Sequence, residues 1–280
     1  MVTIFSCPKP FIGKINIIQR NAIKSWLLLK SKPEVILIGD ESGCAEVCRE
    51  FGIRHIREAE RGAQGTPLVR SLFNQAQQLA SFDTLCYINA DIILTDDFIA
   101  AIKLTQKWAD KFLMIGRRYD LQISEEIDFN KADWVEIIKS RASKNGRLHS
   151  SMGMDYFIFK RGLYSNMPDF VVGRPCWDGW FVYEARQARI SVVDATSKIS
   201  AFHQNHEYRT GLIDKNGDWD WNDSEVKGNL KASGGLRRDI SNATHKIRNN
   251  RIRRRILYLW IEPGIFLIRN IIRKIKPYSK

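Results

Sequence analysis

Short apolar runs alternate with segments whose apolar residues recur at helical spacing along the first 116 residues. Residues 2–6 predict a strand, and residues 15–29, with apolar positions three and four apart, predict a helix. Residues 35–39 predict a buried strand between Pro33 and the turn-like Gly39-Asp40-Glu41-Ser42-Gly43. A short helix over 45–51 and a short strand over 53–56 follow. Residues 66–80 predict a helix with Pro67 in its first turn, where no amide proton is needed. A strand over 85–88, a helix over 96–108 and a strand over 112–116 complete the series. Strands alternating with helices over such short connections predict a parallel, doubly wound α/β sheet.

The pattern then becomes less regular. Residues 156–160, 191–194 and 199–202 predict strands, and 180–189 a helix, whereas the polar, Gly- and Asn-rich stretch 210–235 predicts a long loop. No internal repeat is visible. Composition sharpens this picture at two points. With 280 residues, 44% of them hydrophobic, the chain can bury a core, which excludes wholesale disorder. The formal net charge of +13 is unevenly spread: residues 245–280 hold eleven Lys or Arg against one acid, Glu262. The globular part is therefore close to neutral and the basic character belongs to the tail. Cys7, Cys44, Cys48, Cys86 and Cys176 are scattered without a C-x-x-C pair, which speaks against a disulfide framework or structural zinc and for a reducing cytosol. The N-terminus reads as carrying no signal peptide, and no apolar run reaches the ~18 residues a membrane span needs.

Neither G-x-G-x-x-G nor a phosphate loop ending in Gly-Lys-Ser/Thr is present, which disfavours an ordinary dinucleotide dehydrogenase or NTPase. The sharpest local feature is Tyr87-Ile88-Asn89-Ala90-Asp91-Ile92-Ile93-Leu94, an apolar strand running into two polar side chains. At the carboxyl end of a sheet strand such groups face the crevice where ligands bind, so Asp91 is either a cation ligand or a turn cap. Asp40 and Glu41 end another strand, either to bind a base or ribose or as a solvated turn.

These residues resemble the GT-A fold nucleotide-sugar glycosyltransferases, broadly the family 2-like group. The resemblance rests on the order of Asp40 after the second strand and the Asp-x-Asp-like Asn89-Ala90-Asp91. It extends to Phe5-Ser-Cys-Pro-Lys-Pro-Phe11, Gly116-Arg-Arg-Tyr-Asp-Leu121, Trp177-Asp-Gly-Trp180 and Ala201-Phe-His-Gln-Asn-His-Glu-Tyr208, and so covers roughly residues 2–235. One departure matters: Asn89 stands where the motif has its first carboxylate. The resemblance implies a GT-A domain over 1–235, with a nucleotide-sugar-binding half (1–120) and an acceptor half (121–235), followed by a basic amphipathic segment (236–280). It implies donor contacts from Pro8, Asp40, Glu41, Asn89, Asp91 and Arg118. Mn²⁺ or Mg²⁺ would sit on Asp91, with His203, or His206 in its place, as the later ligand. The donor would be a UDP-sugar and the acceptor a glycan or glycolipid hydroxyl.

Asp178 lies between two tryptophans at a helix start, serving either as a helix cap or as the base that deprotonates the acceptor in an inverting reaction. Trp177 and Trp180 would flank the sugar, and Asp155 would meet the acceptor or simply close a turn. Glu184 is the reserve base. The 214–220 stretch partly imitates a calcium loop, but its sixth position is Trp219 instead of Gly, so a lid or acceptor loop is the better reading. Beyond it, Arg251, Arg253, Arg254 and Arg255 lead into 256–261, and Pro263-Gly264 divides the tail into two helical pieces. On the second, Arg269, Arg273 and Lys276 share one face and Ile268, Ile271, Ile272 and Ile275 another. With Tyr258 and Trp260, this predicts attachment to an anionic membrane surface, hence a cytoplasmic enzyme peripheral on the inner face. Two rival readings are a sugar-phosphate nucleotidyltransferase, whose Gly-rich first loop is missing, and a nucleic-acid-binding protein. The tail's continuous apolar face argues against nucleic acid.

Overall fold

The computed structural model describes residues 1–206, 219–235 and 238–255. In chain order the elements are β1 (Thr3–Ser6), α1 (Gly13–Leu27), β2 (Glu34–Ile38), α2 (Cys44–Phe51), β3 (Arg54–Ile56), α3 (Val69–Leu79) and β4 (Thr84–Ile88). Then come β5 (Ile92–Ile93), α4 (Asp97–Trp108), β6 (Phe112–Ile115), β7 (Tyr119–Leu121), α5 (Trp134–Asn145), β8 (Arg147–Leu148) and β9 (Tyr156–Lys160). The last are α6 (Trp177–Gln187), β10 (Ser191–Asp194), β11 (Phe202–Gln204), α7 (Ser224–Ala232), β12 (His245–Arg248) and β13 (Arg251–Arg254).

The strands form a nine-stranded sheet, in the order β13-β12-β10-β6-β9-β4-β1-β2-β3, and a four-stranded one, β5-β11-β7-β8. The α/β class expected from the sequence is the one observed. The expectation of a purely parallel sheet is corrected: β9 lies antiparallel between β4 and β6, and β13 antiparallel to β12.

Alternation along each central strand divides the core into two layers, because successive side chains point to opposite faces. Ile4, Val35, Leu37, Cys86, Ile88, Ile158 and Met114 face one layer with Ile23 and Trp26 of α1 and Phe98 of α4. Phe5, Ile36, Ile38, Leu85, Tyr87, Phe157 and Phe159 face the other, against Leu72 and Phe73 of α3 and Phe181 of α6. The second layer is largely aromatic: Phe73 stacks on Phe181, ring centroids 4.6 Å apart, and Tyr164 meets Phe181 edge-on at 4.4 Å. A third cluster, with Ile93, Leu121, Ile138 and Phe202, lies under the small sheet.

Four local expectations are corrected. Pro67 precedes α3 instead of starting it, because it forms an antiparallel bridge with Arg61 that holds the 60s loop. The 210–235 stretch is not all loop: Asp223 accepts the amides of Glu225 and Val226 and so caps α7. The helix expected over 180–189 begins earlier, at Trp177. Residues 251–254 are strand, turning back on β12 through Asn249-Asn250, both left-handed with φ of 50° and 53°. Since β12 lies parallel to β10, residues 245–254 extend the main sheet. The amphipathic stretch 265–276, with Tyr258 and Trp260, and the 214–218 loop lie outside the described residues. Among the described residues no helix is long and apolar enough to cross a membrane.

Candidate active site

Strands β1, β2 and β4 are neighbours and parallel, so the segments leaving their carboxyl ends emerge on one edge of the sheet. That edge gathers residues 7–12, 39–43 and 89–91. Ser6 Oγ donates to the Ile88 carbonyl at 2.6 Å, closing β1 against β4 just below the rim.

Asp91 occupies the tight turn between β4 and β5, where Ile92 N–H donates to the Asn89 carbonyl at 3.2 Å. β5 pairs antiparallel with β11, setting His203 opposite Ile92, so a strand from far along the chain delivers its side chains to Asp91. Gln204 secures that placement: its side-chain amide donates to the carbonyls of Ile18 at 2.8 Å and Asp91 at 3.2 Å, and accepts from Asn21 of α1 at 3.0 Å. Asp91 Oδ2 then lies 3.0 Å from His206 Nε2 and 3.6 Å from His203 Nε2. One ligand atom from each of the three residues falls within 4.8 Å of the others. Burial pushes the Asp91 carboxyl up, but the hydrogen bonds and charges of His203 and His206 outweigh it and hold the group well below the carboxylate range. For His203, burial pulls the imidazole down while Asp91 raises it, with a net rise. A cation fits this donor set: one carboxylate oxygen, Oδ2, faces two imidazoles, and the other, Oδ1, is buried with no hydrogen-bond partner among the described residues.

A second group of charges backs this cluster. β7 runs parallel to β11 and sets Asp120 beside His203, with Asp120 Oδ1 3.6 Å from His203 Nδ1. Asp120 also receives Arg118 at 2.9 Å and His149 at 2.8 Å. Arg118 bridges on to buried Asp155 at 2.5 Å, and Asp155 Oδ1 accepts the Asn89 side-chain amide at 2.8 Å. Arg118, expected among the donor contacts, is thus held between two carboxylates. Asp155, expected at the acceptor, is only 4% exposed and ties β4 to β9.

Asp178 lies in the first turn of α6, after Cys176, whose φ of 83° puts it in the left-handed region. Its Oδ1 accepts the adjacent Gly179 amide at 2.8 Å. Loss of water pushes the carboxyl up to about 7; the Gly179 N–H opposes this, and the negative charges of Asp155 and Asp239 add to it. Gly179 permits the tight packing here, since a Cβ would stand 2.6 Å from the Arg238 carbonyl oxygen. The two flanking indoles are not a sugar platform. Trp177 packs on Tyr87, Phe157 and Phe181, Trp180 on Tyr164, Phe170 and Phe181, and each is 7% exposed.

At the β2 end Asp40 is exposed and pairs with Arg61, which also reaches Glu41 at 3.1 Å. The largest influence on Asp40 is the Arg61 hydrogen bond, which lowers its pKa. Pro8 is buried in the loop after β1. Asp40, Glu41, Pro8, Asn89 and Asp91 therefore share one rim, and Asp178 lies near enough to Asp155 to feel its charge. Sequence reasoning missed Asp120 and His149. The signal for Asp120 was an acid inside the short strand Tyr119-Asp120-Leu121, a place a solvated carboxylate avoids.

No family model and no curated protein matches the chain. Among solved structures it is similar to S. aureus TarS 1–349 in complex with UDP-GlcNAc, at 12% identity and a TM-score of 0.49, over 75% of this chain and 60% of that one. It is similar to the Pyrobaculum calidifontis mannosyltransferase PcManGT in complex with GDP-Man and Mn²⁺, at 14% identity and a TM-score of 0.44, over 75% and 58% of the two chains. A third is M. tuberculosis glucosyl-3-phosphoglycerate synthase, at 11% identity and a TM-score of 0.45, over 75% of this chain and 74% of that one. The chain thus spans about 60% of the length of the TarS chains it matches.

Proposed function

We propose that the chain is a metal-dependent glycosyltransferase domain of the GT-A type, moving a sugar from a nucleoside diphosphate, UDP by preference, to a glycan or glycolipid hydroxyl with inversion. The observation that supports it best is the cation-ready Asp91–His203–His206 cluster, beside which Asn89 bonds to Asp155, whose charge is felt by a carboxyl poised near neutrality, Asp178. In this reading Asp40 and Glu41 bind the nucleoside end. Asp91, His203 and His206 would hold a divalent ion, which would supply Lewis-acid neutralisation of the leaving diphosphate. Asp178, ionised, takes the acceptor's hydroxyl proton as that oxygen attacks the anomeric carbon. The bond from that carbon to the diphosphate breaks, and its electron pair leaves with the nucleotide. A base with a pKa near the working pH is suited to this step. Asn89, Arg118 and Asp155 position the rim and stand behind the donor contacts.

The same reading places the basic end of the chain against an anionic membrane surface on the cytoplasmic side. Its support is the β12–β13 hairpin, where Lys246, Arg248, Arg251, Arg253 and Arg254 are all exposed and no acid intervenes. The deciding assay measures nucleoside diphosphate released from UDP- and GDP-sugars, with Mn²⁺ and with a chelator. Release should require the metal and be abolished by Asp91→Ala at unchanged melting temperature. Turnover by Asp91→Ala at the normal rate would remove the foundation of this assignment.

A further inference from the structure

Arginines from two distant parts of the chain meet around a cavity away from the Asp91 rim. We infer that this cavity, of about 480 Å³ at the opposite edge of the main sheet, binds the phosphate group of a small organic phosphate or of a lipid headgroup. The inference goes beyond the transferase reading and does not rest on it.

The topology fixes where the cavity lies. β4 and β6 both run antiparallel to β9, and β10 runs parallel to β6, so β4 and β10 point the same way. Asp91 follows the carboxyl end of β4, whereas Ser191, in the cavity wall, is the first residue of β10. His245 opens β12, which runs parallel to β10, and the antiparallel register sets Arg254 of β13 directly opposite it. Arg186 and Arg189, at and just beyond the end of α6, complete the basic wall.

Three observations point to an anion. First, the wall brings the guanidinium groups of Arg186, Arg189 and Arg254 together with His245 and the hydroxyls of Ser191 and Thr244, and it contains no acid. Burial lowers the His245 pKa, the positive charge of Arg254 lowers it further, and no acid among the described residues opposes them. Second, Arg189 stands in the left-handed region, with φ of 56°, where the Ile190 amide donates to the Ala185 carbonyl at 2.8 Å. Glycine is the usual residue at such a helix end, so an arginine there carries a conformational cost, and its place in the cavity wall gives that cost a purpose. Third, the imidazole is held in position. Thr244 Oγ1 lies 2.9 Å from His245 Nδ1 and accepts the Val192 amide at 3.0 Å, while Trp108 meets the His245 ring edge-on with centroids 4.8 Å apart. Groups fixed in advance lose less freedom when a ligand arrives.

The ligand class follows from chemistry and size. Guanidinium forks match phosphate oxygens in pairs. The cavity falls within the roughly 300–1,000 Å³ of small-molecule sites, so the phosphate comes with an organic group attached. Trp108 is exposed beside it, and Trp is a residue of the headgroup region of membranes, so a phospholipid is one source and a soluble phosphate ester the other.

The test uses the full-length protein with a chelator present, which keeps metal-bound phosphate out of the measurement. Equilibrium dialysis with glycerol 3-phosphate should show one saturable site, with affinity lowered about tenfold or more in Arg254→Gln and in Arg189→Gly. Arg189→Gly also removes the left-handed strain, so its melting temperature should equal or exceed the parent's while binding falls. Flotation compares vesicles of phosphatidylcholine carrying phosphatidic acid with vesicles of matched surface charge carrying phosphatidylglycerol. A preference for phosphatidic acid that both substitutions and free glycerol 3-phosphate abolish upholds the site and identifies the lipid source. Saturable dialysis binding without that preference upholds it and identifies the soluble ester. Unchanged glycerol 3-phosphate binding in the folded Arg189→Gly/Arg254→Gln double variant overturns the inference, as does the absence of saturable binding of both probes to the unsubstituted protein.

Discussion

Replacing Asp178 with Asn isolates the cost of burying an ionisable group in the first turn of α6. In the folded protein its carboxyl titrates at about 7, against an ordinary value of 3.8. Between those values the unfolded chain has released the proton and the folded one retains it, so the unfolded state binds fewer protons and stability falls as pH rises. The slope is about 1.4 kcal/mol per pH unit, and three units set a ceiling of about 4 kcal/mol, fully developed above pH 7 and absent below pH 4. Asp178 is partly accessible, so about 2–4 kcal/mol is the expected range. Asparagine keeps an acceptor for the Gly179 amide and has no proton to lose. Metal-free Asp178→Asn should therefore match the parent at pH 4 and exceed it progressively up to pH 8. Urea unfolding at half-unit intervals reads this directly, and the same variant should lose the rise of kcat/KM through pH 7, with turnover down by ~10²-fold or more. A stability difference that does not change between pH 4 and 8 would show that Asp178 is not desolvated, and the assignment of the base would go with it.

Tyr156 carries a buried hydroxyl with no partner among the described residues, so Tyr156→Phe should raise stability by about 1 kcal/mol in thermal unfolding. Gly116→Ala sets a Cβ 1.9 Å from that hydroxyl and should cost about 1–3 kcal/mol, less when combined with Tyr156→Phe; a double-mutant cycle measures the difference. Buried Arg174 and Glu225 pair at 2.5 Å, so Arg174→Met alone should destabilise by about 3–5 kcal/mol by stranding the carboxylate. Asn89→Asp turns a hydrogen bond to Asp155 into a contact between two carboxylates, and its melting temperature should fall at pH 8 and recover toward pH 4.

The inner strands were legible because β1, β2, β4, β6 and β9 are runs of four or five residues, buried almost throughout, between turn signals. α5 was not, because only Ile138 and Ala142 of its twelve residues are buried and its periodicity is correspondingly faint. The β12–β13 hairpin was hidden by its arginines, although Ile247 and Ile252 face each other in the ladder and Asn249-Asn250 is a turn-forming pair. At the site, Asp91 announced itself as a polar residue ending an apolar strand. The choice between His203 and His206 was not readable in sequence, and the structure brings both to Asp91. Asp120 acquires its significance only through the register of β7 on β11. Trp177 and Trp180 mislead for a simple reason: large aromatics beside an acid suggest a sugar platform, whereas their rings fill the core.

The pairing of β5 with β11 also bears on the order in which the protein becomes competent. Asp91 and His206 are 115 residues apart, and the strand that joins them is only three residues long. The cost of closing such a loop must be met before its few contacts repay it, so contacts of this range form late. During synthesis the β1–β4 sheet and its helices can condense while Asp91 still lacks both imidazoles. A nascent chain shorter than about 200 residues then has the crevice but no ion-binding power. If the proposed ion binds there, its affinity would be a report on completed folding, and scarcity of the ion during synthesis would show first as slow maturation of the small sheet.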